Sequence, residues 1–361
     1  MKFVQAFSAL ILSRPVSSFT TSSRLHHRTM MNPSFAVSEN TRESLLQCPK
    51  ITLRDGTLHP CIGFGTYKVG FMPASASSVA AVGSAMSKPE KSTQECILDA
   101  LDCGYRFFEC AEFYGNEIDI GKAIATSGIK REDLFLCSKV WTSTIDKGPN
   151  AVREQLEKTL SDLGTDYVDL YLIHWPVPGK HVEAYKMLEV LKKEGKIKGI
   201  GVSNYAVEDY EELKENGIEF LPVVNQIEIN PFLYRKNTIE YFEKDGVVLQ
   251  SYRSLRDGKA MTDPTLLKIA ASHGKTVAQV LGRWCIQHGF VYVPKSVKKE
   301  RMVENAQVFD FILSDDEMNT LDSLTSPENI KAFVELYRKC VNRDTSKDGT
   351  LEGVKMIITE D

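Results

Sequence analysis

Glu109, Tyr114, Lys139 and His174 are residue types that together can move a proton onto a carbonyl oxygen. A phenol has a pKa of about 10 and on its own is a poor donor at neutral pH. A neighbouring ammonium stabilises the phenolate and brings that pKa toward a useful range. A carboxylate beside the lysine holds it in place and charged, and an imidazole can orient the carbonyl and help relay the proton. Such a set needs no metal, only a source of hydride. Each residue alone has a plainer reading. A tyrosine or lysine at a strand end is more often structural, and a histidine before Trp-Pro can be a satisfied core residue.

The elements around these residues give a reason for them to meet. Ile51 to Leu58 shows two short strands around Asp55-Gly56, a hairpin signal. After it, β-like runs at 61–64, 105–109, 134–138, 168–173, 199–202, 223–228, 247–252 and 290–293 alternate with helical patterns. Those patterns lie near 93–103, 116–126, 149–163, 182–194, 206–215, 237–244, 276–287 and 299–306. Near-continuous apolar strands such as Val168 to Ile173 suit a parallel sheet covered by helices. Eight βα units in a row predict an α/β fold of the closed (β/α)8 TIM-barrel type, with an N-terminal β-hairpin cap and extra C-terminal helices. An open doubly wound sheet is the alternative, weakened because no Gly-x-Gly-x-x-Gly follows an early strand. In the barrel, Glu109 ends the second strand with Tyr114 in its loop, Lys139 ends the third and His174 the fourth. Residues at those ends converge on the mouth.

The barrel is expected over 50–325, between segments of another kind. Residues 1–38 hold no acidic residue but carry Lys2, Arg14, Arg24 and Arg28 among many serines and threonines. This composition predicts a targeting segment over 1–40, for a plastid or mitochondrion. The alternative is a disordered tail on a cytoplasmic protein. A loop insertion at 69–91 leaves the first strand's C-terminal end and reads as disordered or functional. A capping box at Ser314–Glu317 opens a further helix, and 326–361 holds a last helix, about 327–340, and a polar tail.

Composition is that of an ordinary globular chain, 42 % hydrophobic and 25 % charged over 361 residues. A net charge of −4 without a long basic run points to neither nucleic acid nor an anionic membrane. The eight cysteines include no Cys-x-x-Cys pair, so a zinc site is not expected and reduced, buried thiols are.

With these residues in view, the chain resembles the aldo-keto reductase family from about residue 50 to 325. The resemblance runs through Gly104 to Glu117 around the tyrosine, Ser138-Lys-Val-Trp141, Leu172-Ile-His-Trp-Pro176, Gly201-Val-Ser-Asn-Tyr205, Asn225-Gln-Ile-Glu228 and Val293-Pro-Lys-Ser296, followed by Arg301 and Glu304-Asn305. It implies NADPH-dependent, reversible reduction of aldehydes or ketones, with Tyr114 as general acid, Lys139 lowering its pKa and His174 orienting the carbonyl. The family normally has Asp where this chain has Glu109, which carries the carboxylate one methylene further. Displacements of ~1 Å can cost ~100-fold in such a site, yet activity is expected to survive.

The resemblance also implies a cofactor strip. Ser203, Asn204 and Gln226 would hydrogen-bond the nicotinamide carboxamide, Tyr252 would stack on its ring, and Thr66 would lie near its ribose. Ser254 and Leu255 follow Tyr252 in the same block. Lys295, Ser296 and Arg301 resemble the residues that grip an adenosine 2′-phosphate, with Glu304 and Asn305 at the adenine. A lysine and an arginine beside a hydroxyl suit a dianionic phosphate, which favours NADPH over NADH. Where the family usually reads Tyr-Ser-Pro-Leu, this chain has Tyr252-Arg-Ser-Leu255, and Arg253 either faces the pyrophosphate or points away.

Tyr67, Phe113, Trp141 and Trp175 are expected to line an aromatic pocket suited to carbonyl compounds. Loops after the fourth and seventh strands look short, predicting an open mouth and broad specificity. The expected partner is a small-molecule carbonyl, with neither nucleic acid nor membrane, and the protein is expected to be a monomer. The competing reading is an NADPH-binding regulatory or redox-sensing barrel with little turnover. Retention of Tyr114, Lys139 and His174 argues against it, since binding alone needs none of the three.

Overall fold

The computed structural model describes residues 39–70 and 91–344. Most of the expected targeting segment, most of the expected loop at 69–91 and the tail beyond 344 lie outside the described residues.

The described chain opens with a helix, α1 (Glu39–Leu46), where the sequence had suggested the end of a targeting segment. The predicted hairpin follows. Its strands β1 (Lys50–Thr52) and β2 (Leu58–Pro60) pair antiparallel, with Ile51 opposite His59. Eight strands then form one all-parallel sheet in sequence order: β3 (Phe64–Gly65), β4 (Phe107–Glu109), β5 (Phe135–Val140), β6 (Val168–Ile173), β7 (Ile197–Ser203), β8 (Val224–Glu228), β9 (Val248–Tyr252) and β10 (Val291–Tyr292). The sheet closes on itself. The Tyr292 amide donates to the Cys61 carbonyl at 2.9 Å, Gly63 donates back to Tyr292 at 2.9 Å, and Gly65 donates to Pro294 at 2.9 Å. The fold is a (β/α)8 barrel.

Helices cover the sheet: α2 (Thr93–Cys103), α3 (Glu117–Ser127), α4 (Thr142–Asp146), α5 (Pro149–Leu163), α6 (His181–Lys193), α7 (Val207–Glu215), α8 (Lys236–Lys244), α9 (Pro264–Ser272), α10 (Val277–Gln287) and α11 (Lys299–Ala306). Local signals set several ends. Ser92 and Glu95 make a capping box at the start of α2, and Thr276 and Gln279 make one at α10. Gly104 ends α2 in the left-handed conformation (φ 109), which a side chain would strain. The expected box at Ser314 and Glu317 opens α12 (Asp315–Asp322), and α13 (Pro327–Asp344) follows.

Helices α4 and α9 were not expected. The start of α4 is held by tertiary contact, since the Glu112 carboxylate accepts the Trp141 amide at 2.6 Å and the Thr144 hydroxyl at 2.6 Å. For α9 the signal is local: Asp263 accepts the Thr265 and Leu266 amides at 3.0 Å each, with Pro264 in the first turn. Residues 253–263 include a 3-10 turn at Arg256–Gly258 before α9 begins.

Strand alternation sorts the core into two layers. Phe107, Phe135, Cys137, Leu170, Leu172, Val224, Val291 and Val293 share one cluster with Leu53 of the hairpin turn. The alternate strand residues Phe64, Phe108, Leu136, Tyr171, Ile173, Ile200, Val202 and Tyr292 pack with the helices in the other. The first set fills the barrel axis and the hairpin closes its lower end. Among the described residues the cysteine thiols are free, and all but Cys48 are buried. No described helix is long and apolar enough to cross a membrane.

Candidate active site

The inward face of the strands continues, one step beyond the apolar core, into polar residues. Phe107 leads two residues on to Glu109. Phe135 and Cys137 lead to Lys139, Leu170 and Leu172 to His174, and Val291 and Val293 to Lys295. Strand period places these side chains together at the C-terminal mouth.

There Lys139, wholly buried, donates to the Tyr114 hydroxyl at 2.9 Å and to the Cys110 carbonyl at 3.0 Å. Its ammonium also forms an ion pair with Glu109 Oε1. Tyr114 Oη donates to the same Glu109 oxygen at 2.8 Å. The longer acid therefore still holds Lys139, and it reaches the phenol as well. The backbone carbonyl of Glu109 accepts both the amide (3.0 Å) and the hydroxyl (2.9 Å) of Thr66, which ties Thr66 to the strand that carries the acid.

The electrostatics differ from expectation at Tyr114. Burial first, then the charge and hydrogen bond of Glu109, push its phenol well above the usual range; the phenol is raised, not lowered by Lys139. The physical reason is desolvation, which disfavours phenolate throughout this buried site. Tyr114 is consequently a fully protonated donor. Burial, then the charge of Lys139, hold His174 well below the ordinary imidazole range, so its ring is neutral. Its Nδ1 is buried with no hydrogen-bond partner, a polar atom left available in the site.

The predicted pocket residues meet. Phe113 stacks on Trp141 with ring centres 4.0 Å apart, and Tyr67 lies 6.4 Å from Phe113 and 5.1 Å from Tyr114. The His174 ring sits edge-on to Trp141 at 4.8 Å and 6.0 Å from Tyr114, with Trp175 stacked at 6.4 Å. The expected open mouth is corrected. Phe333 of α13 packs with Trp141, Trp175 and Leu233, flanked by Phe113 and Ile330. Arg256 fastens that helix by donating to Asn329 Oδ1 at 3.1 Å. Sequence reasoning missed Phe333 because a helix at the end of a chain carries no record of where it docks.

The residues expected at the nicotinamide are linked to one another. Ser203 Oγ donates to the Gln226 carbonyl at 2.8 Å and accepts from Asn204 Nδ2 at 3.0 Å. Asn204, with left-handed backbone (φ 61), also donates to the His174 carbonyl at 3.0 Å and accepts from Tyr252 Oη at 2.7 Å. Ser254 is buried against Ser251 at 2.6 Å, and Leu255 packs on the core. Ser296 Oγ accepts the Lys298 amide at 3.0 Å just before α11, whose exposed Arg301, half-buried Glu304 and buried Asn305 follow. A Cβ added at Gly65 would meet Val293 at 3.4 Å, Glu109 Oε2 at 3.5 Å and Lys295 Cβ at 3.6 Å, ordinary contact distances that put Glu109 and Lys295 on either side of this residue. Burial and then the charge of Lys68 lower the pKa of Lys295, which has no salt bridge among the described residues. Two ammonium groups repelling each other suit a phosphate between them. These residues fit a phosphorylated dinucleotide.

Arg253 is held by carboxylates. Its guanidinium pairs with the buried Glu228 at 2.8 Å and the exposed Asp257 at 3.0 Å. It holds left-handed backbone (φ 51), a conformation costing roughly 1–2 kcal/mol for a side-chain-bearing residue.

Comparison with known proteins agrees with this geometry. The aldo/keto reductase family profile matches residues 62–326. An uncharacterized oxidoreductase of Bacillus subtilis is 41% identical over 286 residues, covering 78% of this chain and 94% of the relative. A glyoxal reductase of the same organism is 39% identical over 280 residues, covering 78% and 94%. Among solved structures, a Gox0644 variant in complex with NADPH is 33% identical, with a TM-score of 0.69, covering 78% of this chain and 95% of that one. The barrel, its polar mouth and these relatives together show that the chain belongs to the aldo/keto reductase family of NADP-dependent oxidoreductases.

Proposed function

We propose that this protein reduces small aldehydes, α-oxo-aldehydes among them, with Tyr114 as the general acid. The observation that carries this reading is the Tyr114 hydroxyl, protonated and 2.9 Å from Lys139 Nζ, beside a neutral His174 at the barrel mouth. The glyoxal reductase relative and the closure of the pocket by Phe333 both favour small substrates.

Bound NADPH supplies the hydride. The neutral imidazole of His174 presents an N–H to the substrate carbonyl and polarises it. As the oxygen gains charge, Tyr114 turns its proton from Glu109 to that oxygen and the O–H bond of the alcohol forms. The resulting phenolate is stabilised by the Lys139 ammonium, which Glu109 holds. Trp141, Phe113 and Phe333 keep water out and leave room for a small carbonyl compound. Ser203, Asn204 and Gln226 would hold the carboxamide, Tyr252 and Thr66 would lie beside the nicotinamide and its ribose, and Lys295, Ser296 and Arg301 would take the 2′-phosphate.

Loss of NADPH absorbance against a panel of aldehydes, ketones and sugars tests the activity. Tyr114→Phe is expected to lower turnover by ~100-fold or more while leaving NADPH binding intact. Turnover persisting in that variant would exclude Tyr114 as the acid. One observation favours the second reading, a binding barrel with little turnover: the Tyr114 proton is directed at Glu109. A wild-type protein that binds NADPH yet oxidises it at the Tyr114→Phe rate would support it.

A further inference from the structure

Below the carboxamide site the barrel axis holds a line of buried polar side chains that the reaction above does not use. Gln226 on β8 and Gln250 on β9 are register partners, and Gln226 Nε2 donates to Gln250 Oε1 at 2.5 Å. Gln250 Nε2 then meets His59 Nε2 at 2.8 Å, and His59 Nδ1 lies 2.7 Å from the Pro60 carbonyl. All three side chains are buried, and the His59 ring packs against Phe107 (4.8 Å) and Phe135 (4.3 Å). An apolar side chain would fill that place without the desolvation of an imidazole and two amides.

The polarity of the line is fixed from its lower end. A carbonyl only accepts, so His59 Nδ1 must carry the proton. Burial holds the imidazole neutral, down at about 4, so Nε2 is an acceptor. Gln250 must therefore turn its nitrogen to His59 and its oxygen to Gln226. Gln226 in turn commits its nitrogen to Gln250, which leaves Oε1 as the atom offered to a ligand. An amide oxygen so presented matches the NH2 of a carboxamide.

We propose that His59 is a positioning residue for the cofactor: acting through Gln250, it fixes the Gln226 amide with its oxygen toward the nicotinamide carboxamide. This rests on the reading that Gln226 meets the carboxamide. Without the line, Gln226 can rotate its amide and present a donor to a donor. His59 thus sets, from a hairpin outside the eight strands, which atom of the Gln226 amide meets the bound cofactor.

The test measures dissociation constants of three probes by fluorescence titration of the full chain: NADP+, its acetylpyridine analogue, in which a methyl replaces the carboxamide NH2, and ADP-ribose 2′-phosphate, which lacks the nicotinamide. Wild type is expected to prefer NADP+ over the analogue by about tenfold, one good hydrogen bond. In His59→Met, and independently in Gln250→Met, that preference falls toward unity while ADP-ribose 2′-phosphate binds as before. His59→Gln, which keeps an acceptor facing Gln250, retains most of it. An unchanged preference in the two methionine variants overturns the proposal, as does an equal weakening of all three probes, the mark of a merely structural role. If His59→Met does not fold, Gln250→Met decides alone. A wild type with no preference at all removes instead the underlying reading of Gln226, and the two failures are told apart by that control.

Discussion

Glu109 Oε1 accepts a hydrogen bond from the Tyr114 hydroxyl at 2.8 Å while also pairing with Lys139. One carboxylate oxygen thus links the proton donor to the ammonium that must stabilise it after the proton has gone.

The pH profile should show it. Reduction needs Tyr114 protonated, and burial together with Glu109 raises its phenol. A raised acid holds its proton to higher pH, so the alkaline limb of kcat should lie above the usual phenol range. Glu109→Gln removes the negative charge and should move that limb to lower pH. Glu109→Asp, which draws the carboxylate back from Tyr114, should move it the same way and change kcat by less than about tenfold. A limb that stays put in both variants would detach Glu109 from the acid, and a kcat increase of orders of magnitude in Glu109→Asp would mean the native site is crippled.

Phe333 should decide substrate size. It packs on Trp141, Trp175 and Leu233 at the mouth. Phe333→Ala is expected to raise KM for small aldehydes by roughly tenfold, the worth of one lost aromatic contact. Relative kcat/KM for bulky aryl ketones should rise at the same time. This ratio is insensitive to a general loss of stability, and a fall in both classes alike would contradict the assignment.

Glu117 should make the fold pH-dependent. Its carboxyl is buried, with the Ser138 hydroxyl at 2.6 Å and the Thr159 hydroxyl at 3.1 Å, and burial raises its pKa from 4.5 to about 7. The folded protein keeps a proton that the unfolded chain gives up. Its contribution is therefore complete below about 4.5 and is lost as pH rises to about 7, by about 3 kcal/mol in all. Glu117→Gln should melt at the wild-type temperature at low pH and above it at pH values beyond about 7. Equal melting temperatures across that range would show that the shift is not realised.

Arg253 should matter through Glu228. The carboxylate is buried, and the guanidinium at 2.8 Å is its ionic partner. Arg253→Ser removes that partner, leaving Arg235 as a remaining opposite charge, and should lower stability by roughly 1–3 kcal/mol, less than for a wholly buried pair because Arg253 is partly solvated. Adding Glu228→Gln should restore most of the loss in chemical denaturation. Failure of the second change to restore stability would place the effect of Arg253 in its left-handed backbone instead.

Much of this molecule was legible before any coordinates. Short, near-continuous apolar runs marked all eight barrel strands, because a strand buried on both faces is written directly into residue order. Glu109, Lys139 and His174 stood at strand ends for the same reason, two residues beyond Phe107, Cys137 and Leu172. Other features depend on groups that are far apart in sequence. Glu112 starts α4 only because the fold brings it to Trp141, and Phe333 closes the mouth only because α13 docks there. The direction of the Tyr114 shift was misjudged from sequence, since composition names the ammonium beside a phenol but not the depth of burial that outweighs it. Residue order determined the barrel, the family and the chemical types at its mouth. Tertiary structure alone decided where Arg253 points, how Gln226 is turned and which oxygen holds the Tyr114 proton, because hydrogen-bond polarity and desolvation are properties of neighbours in space.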